Sequence, residues 1–106
     1  MAPQSQPAIK RIPTTGDLIV FFNRNYDPDD GHSGVRNPLN CAISKDEAKT
    51  WGRIKEIENR SGHDSAYPSA AFHGKEALVT YYQHSRAMSR DTWTVLKIFP
   101  IDWFYA

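Results

Sequence analysis

Eight residues, SKDEAKTW at positions 44–51, constrain this chain more than any others, because they admit two readings that lead to different folds. By helix rules Ser44 is an N-cap with Glu47 three residues on, and Ala48, Trp51, Ile54 and Ile57 follow at helical spacing. By turn rules the same residues reverse the chain. Thr50 and Gly52 are poor interior helix residues, which favours the turn. The turn reading makes residues 52–58 a strand and the chain all-β.

The flanking sequence is consistent with that reading. AIKRIPTTGDLIVFFN gives two extended runs around Thr-Thr-Gly-Asp, a hairpin with glycine where a positive φ is wanted. RNYDPDDGHSGVRNP has the composition of a long polar loop, and LNCAIS alternates with Leu39, Cys41 and Ile43 on one face. After a second loop, AYPSAAFHGKEALVTYYQ is a hairpin turning at Gly74-Lys75. A third loop precedes TWTVLKIFPIDWFY, one or two strands interrupted by Pro100. The order hairpin, loop, strand, turn, strand is thus followed by another hairpin, loop and strand, one unit repeated about once. Each unit is expected to be roughly a four-stranded antiparallel sheet, the content of a propeller blade. The expected organisation is a poorly ordered tail at 1–7 and a single domain at 8–106, with one blade at 8–58 and the second at 67–105. Pro13 and Pro68 are expected to open or end the first strand of each unit, where an amide has no ladder partner. Trp51, Trp93 and Trp103 are read as core.

A chain of 106 residues, 40% hydrophobic, suffices for one domain. Thirteen basic and 12 acidic residues are scattered along it, so no basic stripe marks a nucleic-acid or membrane partner. Cys41 is the sole cysteine, which excludes an internal disulfide and a multi-cysteine metal site; it is expected to pack as a small hydrophobe. His32, His63, His73 and His84 never fall at a metal-ligand spacing and read as surface or loop residues. Asp27, Asp29 and Asp30 lack the glycine and terminal glutamate of a calcium loop. No metal or cofactor is expected. The amino terminus does not read as a signal peptide and no run reaches membrane-spanning length, so the expectation is a soluble chain of unassigned compartment.

Ser-x-Asp-x-Gly-x-Thr-Trp is the Asp-box, or BNR repeat, of sialidases (neuraminidases) and related β-propellers, and this chain resembles it at Ser44, Asp46, Thr50 and Trp51, with Ala48 in the glycine position. The resemblance implies a turn between the third and fourth strands of a blade, with the Ser and Asp side chains bonding backbone amides and Trp51 packed beneath. It also implies Arg36, in GVRNPLNCAIS, as the third arginine of a carboxylate-binding triad, and Tyr67, in SGHDSAYPSAAF, at the position of the nucleophilic tyrosine. Arg11, in KRIPTTGDLIVFF, falls where the element carrying the first arginine would be. Gln83 stands where family members carry a glutamate that braces an arginine. The acid/base aspartate, the activating glutamate and two of the triad arginines have no matched positions, so the resemblance covers only the carboxy-terminal, two-blade part of a six-bladed glycoside hydrolase.

Guanidinium groups bind a sialic-acid carboxylate by paired, charge-assisted hydrogen bonds that lysine cannot reproduce. A neutral phenol nucleophile avoids repulsion from that carboxylate, but it is useful only beside a base. The expectation is therefore a sialidase-like fragment that binds an anionic sugar or is the remnant of a hydrolase, without the full catalytic machinery. The alternative is a non-catalytic structural or interaction domain. Two blades leave open edges and faces, so self-association is expected, a closed trimer first and a dimer next.

Overall fold

The computed structural model describes residues 7–23, 38–85, 87 and 92–106. Arg36, His32, Asp27, Asp29, Asp30 and residues 1–6 lie outside the described residues.

Strands β1 (Ala8–Arg11), β2 (Leu18–Asn23), β3 (Leu39–Ser44) and β4 (Gly52–Glu58) form one antiparallel sheet in sequence order. Strands β5 (His63–His73), β6 (Glu76–Ser85) and β7 (Thr92–Pro100) form a second, also antiparallel and in sequence order. A five-residue helix, α1 (Ile101–Tyr105), closes the chain. The chain is thus all-β in its sheets, and neither sheet closes into a barrel. Both expected hairpins are present, with Gly16 and Gly74 at positive φ in their turns.

The alternation of the sequence fixes which faces meet. In β6 Ala77, Val79, Tyr81 and Gln83 are buried, while Leu78, Thr80 and Tyr82 face the other way. Ile19 and Phe21 of β2, Leu39, Cys41 and Ile43 of β3 and Ile57 of β4 supply the first sheet's share of the core. Ala70, Ala77, Val79 and Tyr81 meet them from the second sheet, and Ile101 and Phe104 complete the cluster from α1. Phe104 stands edge-on to Phe21 with ring centroids 6.2 Å apart.

Three expectations are corrected. The second sheet has three strands rather than four. Pro100 ends β7 in extended conformation, and the residues after it coil because a helix puts Ile101 and Phe104 on one buried face, whereas a strand would send them to opposite faces. The amide of Ile101 donates to the carbonyl of Lys75 at 2.8 Å, tying the helix start to the β5–β6 turn. Second, Pro68 does not begin a strand: β5 starts at His63, and Pro68 sits inside it at a register shift between Ala66 and Ser69. Because β5 is an edge strand and the ladder is already interrupted there, the missing N–H costs no hydrogen bond. Third, Trp51 is not core; it is 36% exposed beside the edge strand β4. His73 is exposed and His63 and His84 partly so, all three on strands.

Candidate functional site

Residues 44–51 form a turn between β3 and β4, not a helix. Ser44 Oγ accepts from the amide of Ala48 at 2.8 Å and donates to Asp46 Oδ1 at 2.8 Å. Asp46 accepts the Thr50 amide at 2.8 Å and the Thr50 hydroxyl at 2.6 Å. The Thr50 hydroxyl, then the Thr50 amide and Ser44, hold the Asp46 carboxyl below its ordinary range. Ala48 adopts φ +70° and Glu47 φ +57°, a left-handed conformation that an L-residue enters only at a cost. The position where the resemblance implies glycine therefore has the backbone a glycine favours.

Arg11 reaches this turn. Its guanidinium donates twice to Glu47, at 2.8 and 2.9 Å, and once to the Gly16 carbonyl at 2.8 Å. The carboxylate it binds belongs to the same chain, and the pair is exposed, so it fixes geometry more than it stabilises.

Tyr67 lies elsewhere, at the β5 register shift. It holds φ +56°, is half exposed, and stands edge-on to Tyr82 with centroids 6.1 Å apart. A tyrosine in the left-handed region is uncommon, and such backbone persists where surrounding structure enforces it. The interrupted ladder admits the distortion, against the extended backbone that the following Pro68 favours. The ring lines a groove of about 380 Å³ between β1 and β5, the adjoining edge strands of the two sheets, with Pro7, Ala8, Ile9, Lys10, Pro68 and Ser69. Lys10 rather than Arg11 is the cation lining this groove, Arg11 being turned to Glu47 and the Gly16 carbonyl.

Gln83 is buried. Its amide oxygen accepts from Trp93 Nε1 at 3.1 Å and Arg60 Nη1 at 3.4 Å, and its nitrogen donates to Ser65 Oγ at 3.2 Å. The Arg60 guanidinium also lies 5.7 Å from the Trp93 ring centroid. The residues that sequence reasoning missed lie beside it in the seam between the sheets. Tyr81 donates to Glu58 Oε1 at 2.8 Å, Lys97 Nζ stands 3.5 Å from the same oxygen, and Asn23 Nδ2 donates to the Ser65 carbonyl at 2.9 Å. Burial first, then the Glu58 carboxylate, pushes the Tyr81 phenol well above its ordinary value. Burial acts to raise Glu58, but the Tyr81 hydroxyl, Lys97 and Gln83 outweigh it and hold the carboxyl below its usual range. Tyr81 is 1% exposed, so this tyrosine–carboxylate pair joins the sheets rather than meeting a substrate. The signal available in sequence was the inward phase of Tyr81 and Gln83 on a strand otherwise buried by alanine and valine.

No family model matches the chain, and no curated protein or solved structure matches it.

Proposed function

We propose that this chain is a two-sheet, sialidase-like portion of a β-propeller that binds an anionic sugar in the β1–β5 groove, without the complement of groups needed for glycoside hydrolysis. The observation that carries the reading is the turn at 44–51. Ser44 and Asp46 bond its amides, it joins the third strand of a sheet to the fourth, and its residue 48 is left-handed. The groove adds an exposed tyrosine in a constrained backbone beside a lysine, an aromatic face for a pyranose and a charge for its carboxylate. Titration of N-acetylneuraminic acid against the wild type and Tyr67→Ala, followed by the thermal midpoint, tests it: the sugar raises the midpoint of the wild type only. Equal shifts in both proteins, or none in either, overturn the groove assignment. No release of the leaving group from a fluorogenic sialoside is expected, and turnover abolished by Tyr67→Phe would overturn that part.

A second reading, an assembly domain, is supported by the outer face of the second sheet. Leu96 and Ile98 are each 55% exposed and Tyr82 52%, on the face opposite Val79 and Tyr81. Stacking that face on another copy, as a trimer or a dimer, would remove it from water. Sedimentation that finds a stable single chain of 12.1 kDa at micromolar concentration rejects this reading.

A further inference from the structure

A second concavity, about 320 Å³, opens where the 44–51 turn meets β4, and shares no lining residue with the β1–β5 groove. Ile43, Lys45, Thr50, Trp51, Gly52 and Arg53 line it. Its charge is unbalanced for a reason visible in the turn. The carboxylates beside it are already engaged: Asp46 accepts from Ser44 and Thr50, and Glu47 is held by Arg11. Among the described residues, neither Lys45 nor Arg53 has a carboxylate within ion-pair distance. Arg53 spends one nitrogen on the Tyr105 carbonyl at 2.6 Å, which anchors the guanidinium and leaves its other donors available. Lys45 stands 5.7 Å from the Tyr105 ring centroid, a contact weak enough to yield to an anion. The part-exposed Trp51 lines the same concavity as these cations.

We propose that this pocket binds an acidic saccharide, with Trp51 stacked on a pyranose face and Lys45 and Arg53 holding its carboxylate or sulfate. The volume is at the lower end of ligand pockets and suits a mono- or disaccharide. Two cations around one oxyanion act together, and the arginine offers the planar donor pair that carboxylate and sulfate oxygens accept. An indole covering one face, with a threonine hydroxyl and main-chain groups around it, fits a ring with C–H bonds on that face and hydroxyls at its rim. The site stands independently of the β1–β5 groove, and loss of either leaves the other intact.

The probe is a sulfated uronate disaccharide prepared from heparin, titrated by calorimetry at low salt against the full chain. Inorganic sulfate and an uncharged disaccharide serve as controls. Binding of the heparin disaccharide is expected, with sulfate and the neutral sugar each weaker by about tenfold or more. Lys45→Gln with Arg53→Gln, and separately Trp51→Ala, are expected to weaken the disaccharide by about tenfold or more, because each removes one half of the recognition. Tyr67→Ala is expected to leave it unchanged, which separates this pocket from the groove. All of these side chains are at least part-exposed, so a retained far-ultraviolet spectrum establishes that the variants fold. Absence of binding, sulfate binding as tightly as the disaccharide, or loss on Tyr67→Ala but not Trp51→Ala overturns the assignment.

Discussion

At the end of β3 the first sheet turns through residues 44–51 and returns as β4; at the end of β7 the second sheet passes Pro100 and coils into α1. Both segments close a sheet, by opposite means. The first closure is polar, with a buried hydroxyl and a carboxylate satisfying amides that the strands leave unpaired. The second is apolar, with Ile101 and Phe104 filling the space between the sheets. The difference teaches that sheet termini in this chain are held by whichever currency the local sequence supplies, and that the two ends should fail differently under substitution.

The largest expected effect is at the apolar end. Phe104→Ala removes a wholly buried ring that contacts Phe21, and should cost about 3–5 kcal/mol in chemical denaturation. A loss within the error of the measurement would mean that α1 is not part of the cooperative core. At the polar end, Ser44→Ala leaves the Ala48 amide without its acceptor at a site 1% exposed, and should cost about 1–3 kcal/mol. If the variant is as stable as the wild type, the contrast between the closures collapses.

Between the two ends lies the seam. Tyr81→Phe should cost about 1 kcal/mol, by removing the donor to Glu58. Glu58 also sets an acid-side dependence. Its carboxyl is lowered on folding, so its contribution is complete above the unfolded value of about 4.3 and is lost as the pH falls through the folded value. Glu58→Gln should flatten that part of the stability profile below about pH 5; an unchanged profile would place the acid sensitivity elsewhere. The smallest effect has the opposite sign. Ala48→Gly should raise stability by about 0.5–1 kcal/mol, since φ +70° suits glycine and the relief exceeds the entropy glycine adds to the unfolded chain. A destabilised Ala48→Gly variant would show that residue 48 does not sit in a left-handed turn.

Much of this was legible in the sequence, and the reasons are physical. The two glycine hairpins and the alternation of β2 and β6 follow from local chemistry, and so does the turn at 44–51, where a side-chain oxygen sits within reach of an amide a few residues on. The helix was not legible, because five residues are too few to display a period, and Ile101 and Phe104 take their meaning only from the space between the sheets. Trp51 was expected inside because the resemblance packs that tryptophan beneath the turn; the strand beside it is an edge, and one side of an edge strand meets water. Tyr67 was singled out by the resemblance alone, and its left-handed backbone depends on an irregularity in the β5–β6 ladder that no local pattern announces. Lys45 and Arg53 drew no notice in the sequence, because their shared concavity and the engagement of Glu47 by Arg11 are visible only in the fold.

The chain carries its own stopwatch. Cys41 sits in the middle of β3 with Phe21 paired on one side and Lys55 on the other, and none of it is exposed. Burial pushes its thiol up to about 11, with Lys55 acting in the opposite direction, so the native residue offers alkylating reagents neither access nor thiolate. Labelling must wait for the cover of the inter-sheet core, in which the thiol is packed, to open. With fast reclosing, the rate at which a dilute reagent marks Cys41 counts those openings, so it reads the free energy of parting the core between the sheets. Since no second thiol competes for reagent, a single mass increment follows that event minute by minute, and it registers the second sheet's detachment from the first even where each sheet keeps its own ladder.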